Sequence, residues 1–264
     1  MRTVAITGAA SGMGAATTKK LRDQGDRVIT VDQRDADVVA DLGTPEGRQQ
    51  AIAEITSMSD GKLDGFVPFA GVGPLPGRPG SLLISVNYFG TVEMLDALRP
   101  LLAAGDAAAA VAISSNSTTC QPGIPTELVE ACLAGDETAA RELADSKYDS
   151  IVSYPSSKVA VARWVRSHAT QPEWAGEDIR LNAVAPGMID TPMVAEGKAD
   201  PDLGPLMEAF TMPVGRSGRP EEIAALVAYL LGPDARFFCG SLIFCDGGTD
   251  AMIHPHDHPT PWVP

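Results

Sequence analysis

Thr3-Val4-Ala5-Ile6-Thr7-Gly8-Ala9-Ala10-Ser11-Gly12-Met13-Gly14 is the stretch that decides the fold. A β-branched run passes straight into Gly8, Gly12 and Gly14, and a helical pattern opens at Gly12. Strand, glycine turn and helix in that order put unpaired N–H groups and the positive end of a helix dipole at one point. Glycine also lets a phosphate approach the backbone without a Cβ in the way. A plain turn would use the same glycines, so the reading rests on what surrounds them.

Outward from this unit, apolar runs at 4–7, 28–31, 65–69, 109–114, 179–184 and 241–245 alternate with helical patterns at 12–24, 45–57, 82–102, 154–169 and 220–231. Such alternation predicts βαβ units, hence an α/β doubly wound parallel sheet of Rossmann type covered on both faces. With no repeat and no linker-like boundary, residues 1–264 are expected to form a single domain. Two stretches exceed ordinary connections. Residues 118–150 are expected to be a helical insertion, because 126–147 is rich in Glu, Ala and Leu. Residues 188–213 carry Met188, Met193, Met207, Phe210 and Met212 among Gly and Pro, which suits an apolar lid over a ligand as well as ordinary loop packing.

Thirty-four acidic against twenty basic residues give a net charge of −14, which opposes nucleic acid and anionic membranes as partners. Cys120, Cys132, Cys239 and Cys245 lack zinc-like spacing, and a chain of 264 residues needs no disulfides to hold a core. Reduced thiols are the expectation. The strand two residues after the initiator leaves no room for an address signal, and no apolar run approaches the roughly 20 residues of a membrane span. A cytoplasmic protein is therefore expected. His254, His256 and His258 alternate with Pro255, Asp257 and Pro259. Imidazoles beside a carboxylate can bind a metal, but the expectation is no metal and a tail that packs on the body or on a neighbouring subunit.

Asp32 closes the second strand at the distance where an acid accepts from an adenosine ribose. A carboxylate there accepts from the 2′-hydroxyl and repels a 2′-phosphate, so NAD is favoured over NADP, while Arg34, two residues on, could greet that phosphate. Asp41 and Leu42 stand where an adenine ring could pack, or form a surface turn. Tyr154 and Lys158, in Tyr154-Pro155-Ser156-Ser157-Lys158, share a helix face. A cation so placed lowers a phenol pKa from about 10 towards the range of a proton-transfer catalyst. Ser114 and Ser115 alternate at a strand end, so only one can face such a site.

With Thr7-Gly8-x-x-x-Gly12-x-Gly14, Asn87, Ile113-Ser114-Ser115, Tyr154-x-x-x-Lys158, Pro186-Gly187 and Asp246-Gly247-Gly248 in this order, the chain resembles the short-chain dehydrogenase/reductase family over nearly its whole length. The stretches Val86-Asn87-Tyr88-Phe89-Gly90 and Arg180-Leu181-Asn182, with the insertion, are similar to the subgroup of bacterial 3α-hydroxysteroid dehydrogenases/carbonyl reductases. The resemblance implies Tyr154 as general acid for carbonyl reduction and base for alcohol oxidation. It implies Lys158 as the group that lowers the phenol pKa and binds the nicotinamide ribose, Ser115 as the holder of the substrate oxygen, and Asn87 as support for a water-linked proton relay. The alternative for Asn87 is that it merely caps or packs within its helix. Cofactor contacts are implied at Gly8, Ser11, Gly12, Met13, Gly14, Asp32, Asp41, Leu42, Ala70, Gly71, Tyr154, Lys158, Pro186, Gly187, Ile189 and Thr191, the last of which could be a turn residue only. The chain departs from the family at Pro68-Phe69-Ala70-Gly71, where Asn-Asn-Ala-Gly is common, which puts local hydrogen bonding in doubt more than binding.

The implied function is an NAD(H)-dependent oxidoreductase interconverting a hydrophobic secondary alcohol and its ketone, with a 3α-hydroxysteroid or cyclic terpenoid as the substrate class. A homodimer or homotetramer is expected, and the insertion should alter both substrate access and oligomer geometry. The alternatives are a reductase of 3-oxoacyl thioesters, which the negative charge disfavours, and a non-catalytic NAD-sensing or scaffold protein, which retention of Tyr154 and Lys158 disfavours.

Overall fold

Short β-branched and small-residue runs become strands wherever both of their faces can be covered. The computed structural model describes residues 1–257 and contains β1 (Thr3–Thr7), β2 (Arg27–Asp32), β3 (Val38–Val39), β4 (Gly65–Pro68), β5 (Ala109–Ile113), β6 (Arg180–Pro186) and β7 (Leu242–Cys245). All pair in parallel in the order β3-β2-β1-β4-β5-β6-β7. This is the expected doubly wound α/β sheet. Only β3, two residues long, lacked a pattern in the sequence.

The helices are α1 (Gly12–Asp23), α2 (Pro45–Met58), α3 (Gly80–Leu83), α4 (Gly90–Ala103), α5 (Ser117–Cys120), α6 (Thr126–Leu133), α7 (Glu137–Lys147), α8 (Ser150–His168), α9 (Pro192–Ala199), α10 (Leu203–Glu208), α11 (Pro220–Leu231) and α12 (Thr249–Ile253). Strand residues alternate between two cores. Val4, Ile6, Val111 and Ile113 face Leu21 of α1 and Ile223 and Val227 of α11. Ala5, Ala110 and Ala112 face Ile55 of α2, Leu95 and Leu98 of α4, and Val161 and Val165 of α8.

Two helical expectations need correction, and the expected helical insertion gains detail. The pattern at 82–102 is not one α-helix, because α3 passes through a π segment, Ile84–Phe89, before α4 begins. A π turn leaves the apolar pattern almost intact, so periodicity does not register it. The insertion is two helices, since Gly135 takes φ +79° and Asp136 then caps α7 by accepting from Ala139 N–H at 3.0 Å. Helix α8 starts at Ser150 instead of Tyr154, with Asp149 accepting from Val152 N–H at 3.0 Å. Pro155 lies inside α8 and cannot donate to the Ile151 carbonyl. Gln121 Nε2 donates to that carbonyl instead, at 2.9 Å.

The chain leaves β1 towards β2 and β3, then returns to place β4 on the other side of β1. That reversal opens a crevice beyond the carboxyl ends of β1 and β4, where open α/β sheets bind ligands. Pro68 fits here without breaking the sheet, because β4 pairs with β5 only at Gly65 and Phe66 and its last residue pairs with β1 alone.

Candidate active site

At the crevice, Gly8 has φ +66° and a Cβ on it would lie 2.6 Å from Ala70 N, so neither an L side chain nor its bulk is tolerated. A Cβ on Gly14 would lie 2.0 Å from the Gly8 carbonyl oxygen. Helix α1 starts after Ser11, which makes no side-chain capping bond, and its first turn carries no acidic residue. The helix end is thus left open to an anion.

Asp32 Oδ2 accepts from Ala10 N–H at 2.9 Å and Oδ1 from Gln33 N–H at 2.7 Å, which fixes the carboxylate beside the turn. Gly8, Ser11, Gly12, Met13, Gly14, Asp32, Asp41, Leu42, Ala70, Gly71 and Thr191 all line one cavity of about 320 Å³. Arg34 is exposed and takes no part in this lining. Cradle, open helix end and ribose-type acid fit a nicotinamide dinucleotide. Ala70 N–H donates to Thr7 Oγ1 at 3.1 Å, so the segment that lost the family's two amides is held by the end of β1.

A narrower cavity of about 80 Å³ continues inward and is lined by Asn87, Ser115, Tyr154, Lys158, Pro186, Gly187, Ile189 and Thr191. Every site residue expected from the sequence therefore borders one of two adjoining cavities. Both Ser114 and Ser115 border this cavity, but Ser114 Oγ donates to the Lys158 carbonyl at 3.0 Å, whereas Ser115 Oγ accepts from Ser117 N–H at 3.1 Å. Of the two serines, Ser115 is the one whose side chain hydrogen-bonds Tyr154. Asn87 sits in the π segment and clamps Val72, accepting from its N–H at 2.8 Å and donating to its carbonyl at 3.0 Å.

Lys158 is 6% exposed, and its Nζ donates to the Ile113 carbonyl at 3.0 Å. Burial pulls its pKa down to about 8. The Nζ lies 5.9 Å from the centroid of the half-buried Tyr154 ring. Contrary to the expectation of a lowered phenol pKa, burial pushes Tyr154 up, opposed only by a hydrogen bond with Ser115. Desolvation acts directly on both groups, while the ammonium turns one N–H to the Ile113 carbonyl and stands over the ring.

Beyond Tyr154 and Ser115 opens a third cavity, of about 370 Å³, with an apolar wall made by Met188, Met193, Leu203, Leu206, Met207 and Phe210. Residues 188–213 thus form a cover built on α9 and α10. Cys120, Gln121 and Pro122 make part of the opposite wall, while α6 and α7 pack away from it, against α8, α3 and the π segment. Sequence reasoning missed Phe69, Val72 and Val194 at the junction, and Ile151 with the 120–122 wall. Phe69, Val194 and 120–122 lay in stretches singled out in advance, but no spacing marked them individually as lining residues, and the same holds for Met193, which lines all three cavities.

His254 Nε2 donates to the Thr119 carbonyl at 2.8 Å and Nδ1 bonds Asp257 Oδ2 at 2.7 Å, so His254 packs on α5. The Thr119 carbonyl and Asp257 raise its pKa. Among the described residues no group of three His, Cys, Asp or Glu side chains is arranged to hold a metal, and His258 lies outside those residues. Among the described residues no helix is long and apolar enough to cross a membrane.

Comparison with known proteins places this geometry. Residues 2–125 match the family model described as short chain dehydrogenase, and residues 139–250 match one described as enoyl-(acyl carrier protein) reductase. The chain is 39% identical over 257 residues to a 3-alpha-hydroxysteroid dehydrogenase/carbonyl reductase of Comamonas testosteroni, covering 97% of this chain and 99% of the relative. It is 32% identical to a cis-4-hydroxycyclohexanecarboxylate dehydrogenase of Sinomonas cyclohexanicum, covering 95% and 97%. The crystal structure of the 3-alpha-hydroxysteroid dehydrogenase from Pseudomonas sp. B-0831 complexed with NADH superposes with a TM-score of 0.92 at 44% identity, covering 96% of this chain and 99% of that one.

Proposed function

Because the chain belongs to the short-chain dehydrogenase/reductase family, we propose that it is an NAD(H)-dependent oxidoreductase that interconverts a hydrophobic secondary alcohol and its ketone. The observation that carries this reading is the placing of Tyr154, Ser115 and Lys158 between a dinucleotide-shaped cavity and an apolar one.

The bound cofactor supplies the hydride in reduction and takes it in oxidation. Tyr154, kept protonated by burial, is the acid that gives its proton to the substrate oxygen in ketone reduction, and the base in the reverse direction. Ser115 Oγ holds that oxygen as negative charge develops on it. Lys158, anchored through one N–H on Ile113, has further N–H donors to offer the ribose hydroxyls and a proton path past Asn87. Asp32 favours NAD over NADP, supported by its place in the cavity wall and by the outward position of Arg34. The methionine-rich third cavity suits a fused- or bridged-ring substrate, a 3α-hydroxysteroid or cyclic terpenoid. Two relatives are named for ring alcohols, which supports the same class. A homodimer or homotetramer belongs to this reading, supported by Tyr229 and Phe237, which stay exposed at and after the end of α11. So does a reducing cytoplasm, supported by four unpaired cysteines.

The match of 139–250 to an enoyl-(acyl carrier protein) reductase model favours a second reading, reduction of acyl thioesters. A net charge of −14 opposes an acidic carrier or CoA phosphates. Rates with NADH on cyclic ketones and on 3-oxoacyl thioesters separate the two. Tyr154→Phe is expected to lower kcat by about 10²- to 10⁴-fold, and undiminished turnover in that variant would remove Tyr154 from the mechanism.

A further inference from the structure

Arg48 of α2 is 1% exposed, yet it lines none of the three cavities. Its Nε donates to Glu93 Oε2 of α4 at 2.6 Å, its Nη2 to Glu137 of α7, and its Nη1 to the Leu42 carbonyl at 3.2 Å. Glu137 Oε1 in turn accepts from Ser85 Oγ at 2.6 Å, and the same hydroxyl accepts from Arg141 of α7. The carboxylate of Glu137 and the guanidinium of Arg141 thus meet at the fully buried Ser85, and Arg48 ties that carboxylate to Glu93, so that three helices are joined to one serine.

Ser85 lies in the π segment, two residues before Asn87. A π turn is a locally unfavoured helix, kept where surrounding structure over-determines it. Here its first residues are gripped by the insertion through Ser85, and its middle grips Val72 through Asn87. A buried ionic cluster of this kind costs desolvation and is weak evidence for stability alone. Its two ends are functional surfaces: Leu42 lines the dinucleotide cavity, and Asn87 lines the cavity of Tyr154 and Lys158.

We propose that Glu137 and Ser85 are positioning residues: the insertion acts through the Arg48–Glu137–Ser85 chain to set the π turn and so the placing of Asn87 and Val72 beside Lys158. The inference rests on the oxidoreductase reading for its kinetic consequence, but not for its structural one. The insertion then contributes to the rate of the reaction, beyond any part it has in substrate access.

Ser85→Ala keeps the ion pairs and cuts only the link to the π turn. It is expected to lower kcat roughly 10- to 100-fold, the cost of a catalytic group displaced by about 1 Å, with KM for NADH changed less than about threefold. The kcat–pH profile should lose definition on its alkaline limb, as a proton path disconnected from Lys158 would require. Glu137→Gln, which can still accept from Ser85, should recover most of the rate that Glu137→Ala loses. Hydrogen–deuterium exchange supplies a readout free of turnover: residues 84–89 and Val72 should exchange faster in Ser85→Ala, with the exchange of α1 and β1 unchanged. Wild-type kcat and an unaltered pH profile in Ser85→Ala, or unchanged exchange at 84–89, overturn the proposal. Faster exchange at 84–89 in a protein whose wild type reduces no carbonyl compound supports the positioning and overturns the oxidoreductase reading instead.

Discussion

Replacing Lys158 by Met should make the cofactor-free protein more stable at neutral pH while destroying its activity, and the gain should reverse in alkali. Lys158 is 6% exposed, and burial moves its pKa from 10.5 to about 8. That displacement amounts to roughly 3 kcal/mol of unfavourable interaction with the charged form. Met fills the same space without a charge, but it leaves the Ile113 carbonyl without the 3.0 Å bond from Nζ, which costs about 1 to 3 kcal/mol. Below pH 8 both folded and unfolded chains hold the lysine proton, and the wild type carries the full burial penalty. Between about 8 and 10.5 the unfolded chain binds a proton that the folded chain has released, so wild-type stability rises with pH over that window. Lys158→Met has no such gain. It should therefore be more stable than wild type by about 1 kcal/mol at pH 7, a few degrees in Tm at most for a chain this size. By pH 10.5 it should be less stable by about 1 to 3 kcal/mol. Urea denaturation of both proteins at a series of pH values, without cofactor, reads the difference directly. A stability difference that does not change with pH would show that Lys158 is not desolvated as its surroundings require.

On the proposed reading of Asp32, whose carboxylate lines the cavity, Asp32→Ala should reduce the preference for NADH over NADPH by at least about tenfold in kcat/KM, or ~1.4 kcal/mol, through loss of the charge that would repel a 2′-phosphate. An unchanged ratio would remove Asp32 as the determinant. Gly14→Ala should abolish measurable NADH binding by fluorescence titration and lower Tm, since the new methyl would stand 2.0 Å from the Gly8 carbonyl oxygen. Normal affinity in that variant would mean that the turn can open without cost.

Features set by local chemistry were readable in the chain. Gly8, Gly12 and Gly14 after a β-branched run, and Tyr154 four residues before Lys158, constrain backbone and face so tightly that their positions around one crevice follow. What escaped was set by tertiary context. Strand β3 is two residues long and exists because Val38 and Val39 find Val31 and Asp32 beside them. The π turn is held from outside by Ser85 and Asn87, and no periodicity announces it. The helix expected from 154 begins at Ser150 and runs through Pro155, because the sequence cannot show that Gln121 takes up the carbonyl that proline leaves. The phenol pKa moved opposite to expectation because spacing reports a neighbour but not burial.

The division of labour among the three cavities also sets how this scaffold can change. The apolar cavity takes its walls largely from residues 120–122 and from α9 and α10, segments outside the paired strands, whereas the dinucleotide turn is locked into the sheet at Gly8, Ala70 and Thr7. Substrate range can therefore drift through Leu203, Leu206, Met207 and Phe210 with the redox machinery untouched. Met193 is the exception: it borders all three cavities, so a change there alters what is bound and how it is reduced together. A library meant to retune specificity alone would vary the first four and leave Met193 in place.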